Sequence, residues 1–198
     1  EPTAHAVAWS AIFAGKSQAA EKALIYLSQT TGNKTVGLWA KDMLAVAKSS
    51  GKPLAGMKLV LTEGPAVDLA TLKGKVVLLF FWTPQDTSVE KEIDHLRRLY
   101  QKYQSAPLAV YGIYMGREMA GKAGSPQYAM PWPQATDRGA VRGRFILGES
   151  PLVVILSSKA QVVWQGLPMQ LETIDWATAF CLRQAQFETG QMPTSAPA

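Results

Sequence analysis

The sequence predicts an α/β domain, a mixed sheet with helices on its faces, preceded by a helical extension. Three observations predict it. From residue 57 onward, short apolar runs rich in β-branched residues alternate with turn signals and helical stripes. One run, Val76-Val77-Leu78-Leu79-Phe80-Phe81-Trp82, is wholly apolar and bounded by turn residues, as a central strand buried on both faces requires. A helical stripe and a second apolar run, Leu108 to Tyr114, follow it, and strand, helix, strand with a right-handed crossover implies a parallel pair.

The elements follow in order. Residues 4–49 read as helices. Ala8, Ile12 and Phe13 precede a Gly15-Lys16 break; Ala20, Ala23, Leu24 and Leu27 recur at helical spacing; Thr30 to Asn33 interrupts; Val36, Trp39, Ala40, Met43, Leu44 and Ala47 form another stripe. This is a helical hairpin or three short helices. It is either a single tetratricopeptide-like unit, short of the three or more such an array normally needs, or a helical cap packed on the following domain, and the cap is the expectation. Ser49 to Pro53 reads as a linker, so the expected boundaries are a helical extension over 1–52, a domain over 53–189 and a tail over 190–198.

Within the domain, Leu59-Val60-Leu61 is a strand, Glu63-Gly64-Pro65 a turn, Leu69 to Leu72 a short connecting turn and Lys73-Gly74-Lys75 a second break. After Trp82, Thr87-Ser88-Val89-Glu90 matches a capping box, with the Thr87 hydroxyl accepting from the Glu90 amide. A helix is expected there, with Val89, Ile93, Leu96, Tyr100 and Tyr103 on its apolar side and Glu90, Lys91, Asp94, Arg97, Arg98 and Lys102 opposite. Gly116 to Pro133 is irregular, and Asp137 can cap a short helix through Phe145. Pro151 opens a strand, Leu152 to Leu156, joined through Ser157 to Ala160 to Gln161-Val162-Val163-Trp164 as a hairpin. A last helix covers Leu171 to Phe187.

Composition excludes several chemistries. With one cysteine in 198 residues, an intrachain disulfide and a CxxC redox centre are impossible, and Cys181, His5 and His95 are too few for a structural zinc site. No metal or cofactor is therefore expected. The net charge of +5 is dispersed; its densest basic group, Arg138, Arg142 and Arg144, is no nucleic-acid arm. No apolar run approaches the roughly 20 residues of a spanning helix. The sequence starts at Glu1 without Met, which suggests a removed secretory signal or a chosen boundary, and a periplasmic or otherwise exported location is the expectation.

Leu69-Ala70-Thr71-Leu72-Lys73-Gly74-Lys75 running into Val76 to Trp82 resembles the TlpA/ResA branch of the thioredoxin-like superfamily and its AhpC/TSA relatives, as does the run from Asp137 through Pro151 into the hairpin. The resemblance covers residues 57 to 187 and implies a thioredoxin-like three-layer fold. It fails at the chemistry. Placing Trp82 and Glu92 on the matching positions puts Gln85 at the family's tryptophan, Asp86 at its nucleophilic cysteine and Val89 at its resolving cysteine. A helix N-terminus stabilises a thiolate; here a permanent carboxylate takes that place. The peroxiredoxin pattern, Thr-x-x-Cys, would likewise need a thiol at Asp86-Thr87-Ser88-Val89 and lacks one.

The resemblance further implies that Pro151 is cis and that the backbone of Ser150 pairs with an extended segment of a bound protein. Trp82, Pro84, Asp86, Ser150 and Pro151 would then form a groove that binds a peptide by strand pairing. The alternative is that Pro151 merely starts a strand. Tyr114, Met115, Met119, Tyr128, Met130 and Trp132 form an adaptable contact surface or cover the end of the sheet. His95 has no nucleophile or second histidine near it in the sequence and reads as a boundary residue. Cys181 lies in an apolar stripe and reads as a buried small hydrophobe. The expected function is a redox-inactive protein-binding or scaffold module, and the alternative is a thiol-disulfide oxidoreductase relative working through Cys181 with a partner thiol. A third reading gives the interaction to the N-terminal helices.

Overall fold

The computed structural model describes residues 17–30, 32, 40–41, 44, 57–116, 126–137, 141, 152–168 and 170–188. Its elements in chain order are helix α1 (Ser17–Thr30), strands β1 (Lys58–Leu61) and β2 (Val67–Asp68), a 3-10 turn (Leu69–Leu72), β3 (Val76–Trp82), α2 (Val89–Lys102), β4 (Leu108–Tyr114), a second 3-10 turn (Pro126–Tyr128), β5 (Gln134–Thr136), β6 (Leu152–Leu156), β7 (Val162–Gly166) and α3 (Leu171–Glu188).

The strands form one seven-stranded sheet in the order β2-β1-β5-β4-β3-β6-β7. The apolar run 76–82 is β3, placed between β4, which it pairs in parallel from Val76↔Leu108 to Trp82↔Tyr114, and β6, which it pairs antiparallel from Val77↔Leu156 to Phe81↔Leu152. Because successive side chains of a strand point to opposite faces, such a run serves two cores at once. Val76, Leu78, Phe80 and Trp82 pack with Val89, Ile93, Leu96 and Leu99 of α2 and with Ile174, Ala177, Cys181 and Leu182 of α3. Val77, Leu79 and Phe81 enter a second core with Leu59, Leu69, Ile113, Ala135 and Val141. Every β3 residue is buried, and each large aliphatic side chain so placed contributes about 1.5–3 kcal/mol.

The parallel β3–α2–β4 unit and the antiparallel β6–β7 hairpin form where the sequence puts them. Gly64 and Gly74, in the two predicted breaks, both sit at φ +91°, where a residue with a Cβ is strained. The 69–72 turn is capped by Asp68, whose Oδ1 accepts from the Ala70 amide at 2.9 Å. Two strands were not foreseen: β2 is two residues long and β5 three, and β5 joins the antiparallel β1 to the parallel β4.

The capping box is a correction. The N-cap is Ser88, and α2 begins at Val89; Thr87 and Glu90 are both exposed. The turn before the helix is closed instead by Asp86, whose side chain reaches the Ser88 amide, so the cap lies one residue later than the Thr-x-x-Glu pattern suggests. In the extension, α1 confirms one of the expected helices; the linker 49–53, most of the 36–47 stripe, most of the Asp137–Phe145 helix and the tail lie outside the described residues. No helix among the described residues is long and apolar enough to cross a membrane.

Candidate functional site

The chain leaves β3 at Trp82 and enters α2 at Val89, so residues 83–88 form the loop at the carboxyl end of a central parallel strand. That is where open α/β sheets place their ligands. The loop is a compact turn. The Asp86 amide donates to the Thr83 carbonyl at 3.2 Å, the Val89 amide to the Asp86 carbonyl at 3.3 Å, and the Thr83 hydroxyl to the Gln85 side chain. Asp86 Oδ1 accepts from the Ser88 amide at 2.9 Å and lies 2.8 Å from Ser88 Oγ. Pro84 and Asp86 are half-buried with an open side. Val89, which the resemblance places at the family's resolving cysteine, is 1% exposed and part of the core.

Trp82 does not face the loop's open side. It is fully buried, its indole ring in contact with Tyr114 and Tyr128 at centroid distances of 5.5 and 5.6 Å. Its Nε1 donates to Gln134 Oε1 at 3.3 Å, and Gln134 Nε2 donates to the Trp132 carbonyl at 3.1 Å. Gly112 makes room for this link: a Cβ there would lie 2.3 Å from Gln134 Oε1. Trp82 therefore supports the loop from beneath and is unavailable as a wall of a groove. Tyr114, Tyr128 and Trp132 are buried as well, which assigns them to covering the sheet end, while Met115 and Met130 are half-buried. Met119 lies outside the described residues.

Ser150 and Pro151 also lie outside the described residues, and the cis bond expected between them is not tested. Their neighbour Leu152 opens β6 opposite Phe81, so the chain enters β6 at the end of the sheet from which β3 leaves for the Asp86 loop.

One residue of the site was missed. Glu92, one turn into α2, is 3% exposed, its Oε1 lies 2.8 Å from Ser88 Oγ, and its Oε2 is buried with no hydrogen-bond partner. Burial holds its carboxyl above the usual carboxylate range; the Ser88 hydroxyl opposes this and the Asp86 charge adds to it. The signal was present, since Glu92 is three residues after Val89 and four before Leu96, on the apolar stripe.

Elsewhere, His95 bridges two helices, its Nε2 2.7 Å from Asp175 Oδ1 of α3. Cys181 is 2% exposed, and burial pushes its thiol up to about 12, far from the thiolate that redox exchange uses. Among the described residues no group of three or more metal-ligating side chains converges.

Residues 50–160 match the AhpC/TSA family profile. Among curated proteins, the chain is 30% identical to the thiol-disulfide oxidoreductase ResA of Bacillus cereus over 115 residues, 57% of this chain and 66% of that one. Among solved structures, it resembles a thiol:disulfide interchange protein of the thioredoxin family from Chlorobium tepidum, with TM-score 0.56 and 17% identity over 66% of this chain and 96% of that one. It also resembles a secreted Mycobacterium tuberculosis disulfide oxidoreductase, with TM-score 0.53 and 18% identity over 63% and 95%. These likenesses establish the thioredoxin-like fold.

Proposed function

Since the chain belongs to the AhpC/TSA family without the cysteine pair of its thiol-disulfide oxidoreductase relatives, we propose that it is a redox-inactive thioredoxin-like module that binds an extended segment of another protein in the bacterial cell envelope. The carrying observation is the loop 83–88, which holds no cysteine and in which Asp86 is tied into the helix start through the Ser88 amide; on this reading Asp86 and Val89 occupy the two thiol positions. The groove would run from Pro84 and Asp86 to the Ser150-Pro151 pair that precedes β6 in the sequence, and an extended segment of the partner would bind there by strand pairing. An exported location is supported by the relative described as secreted.

A second reading draws on the relatives' names: Cys181 would form a mixed disulfide with a partner thiol. Its burial and raised thiol speak against it. An array of extended peptides, probed under reducing conditions, separates the readings. The module reading expects peptides that bind equally to the wild type and Cys181→Ser and at least about tenfold more weakly to Asp86→Arg, a change of about 1.4 kcal/mol. Binding that requires Cys181, or that ignores Asp86 but disappears when 1–52 is deleted, contradicts it.

A further inference from the structure

We propose that the carboxyls of Asp86 and Glu92 hold one proton between them, linked through the Ser88 hydroxyl, that locks the first turn of α2, making the loop under the binding surface a pH-sensitive latch.

The proposal comes from counting hydrogens. Two oxygen–oxygen contacts of 2.8 Å meet at Ser88 Oγ, one to Asp86 Oδ1 and one to Glu92 Oε1. A serine hydroxyl has one hydrogen to donate, so it satisfies one contact and presents a lone pair to the other. Two ionised carboxylates would leave one contact repulsive. The missing hydrogen belongs on one of the carboxyls, and their surroundings choose between them. Asp86 is half-exposed and already accepts the Ser88 amide hydrogen, which suits an ionised group. Glu92 is 3% exposed with Oε2 lacking any partner, so ionising it would bury a charge held by a single hydrogen bond. The chain therefore runs from Glu92 O–H to Ser88 Oγ, and from Ser88 O–H to the Asp86 carboxylate. The direction in which burial and Asp86 move the Glu92 carboxyl agrees.

The surroundings leave Asp86 as the charge that acts on Glu92. β3 beneath carries no titratable side chain. Of the elements packed on α2, the 126–128 turn brings Tyr128, which is in ring contact with Trp82, and α3 brings Asp175, which is taken up by His95. Removal of the proton leaves two carboxylates competing for one hydroxyl. Ser88 must release one of them, and the turn carrying Pro84 and Asp86 loosens at the helix start.

The sign is fixed. Glu92 holds its proton more tightly in the folded chain than in the unfolded one, so its contribution to stability is fully present on the acid side and is lost as pH rises through its folded titration. Difference infrared spectra of the full chain, wild type against Glu92→Gln, should show a protonated carboxyl that persists above the ordinary glutamate range and disappears on further alkalinisation. Asp86→Asn should move that transition toward the ordinary glutamate range. The glutamine amide can still donate to Ser88, so the variant should fold, and the ratio of wild-type to variant unfolding constants should rise with pH by up to about tenfold per unit through the transition. A Glu92 that ionises within the ordinary glutamate range, an unmoved transition in Asp86→Asn, or a ratio independent of pH overturns the proposal. None of these readouts depends on peptide binding.

Discussion

On the proposed reading Asp86 stands where a thiol would stand in the redox relatives, and it takes over the electrostatic half of that role: a negative group at a helix start, hydrogen-bonded to the Ser88 amide at 2.9 Å. It takes over none of the chemistry, because a carboxylate neither attacks nor leaves a disulfide. Replacing it by alanine should cost on the order of 1 kcal/mol in urea unfolding, the usual loss when a capping acceptor is removed; no change would mean that the helix start is held some other way. The lack of a cysteine pair is legible in the sequence itself, which holds one cysteine, while the proposed placing of Asp86 and Val89 at the family's thiol positions rests on Trp82 and Glu92 as anchors of the spacing. The role of Glu92 itself was not, because its charge reads as a surface residue until its place on the Val89–Leu96 stripe is weighed. Trp82 erred the other way. A tryptophan beside a lost active site invites a ligand-facing reading, and only the Gln134 bond and the Gly112 clearance show that it points into the core.

Among the elements, those that bury a long apolar face were readable and those held by a few backbone bonds were not. β3 announces itself by serving two cores, and α2 by its stripe. β5 has three residues, only Ala135 of them buried, and its strand character comes from pairing with β4 and β1, which no local pattern records. The helix start was placed a residue early because Thr87 and Ser88 both fit a cap, and the choice is made by the Asp86 side chain, a contact outside the four-residue motif. The α2–α3 contact adds a polar link, His95 to Asp175, with Asp175 43% exposed. A double-mutant cycle with His95→Ala and Asp175→Ala should give a coupling below about 1 kcal/mol, as for other partly exposed polar pairs. A larger value would make this contact, rather than the shared core of Ile93, Leu96, Ile174 and Ala177, the main tie between the helices.

At the scale of the whole molecule, the fold is thioredoxin-like, and on the proposed reading it is kept intact around a changed site. The seven-stranded sheet, the parallel β3–β4 pair and the hairpin all persist, and the remaining thiol is in the core rather than at the carboxyl end of β3. Retention of the scaffold with loss of both thiols is the central claim, and turnover of insulin disulfides with a dithiol reductant tests it most directly. The wild type is expected to show no rate above the uncatalysed reaction, while the combined Asp86→Cys and Val89→Cys variant gains one, because the scaffold and helix start are in place and the variant supplies both thiols. Turnover by the wild type that Cys181→Ser abolishes would contradict the account.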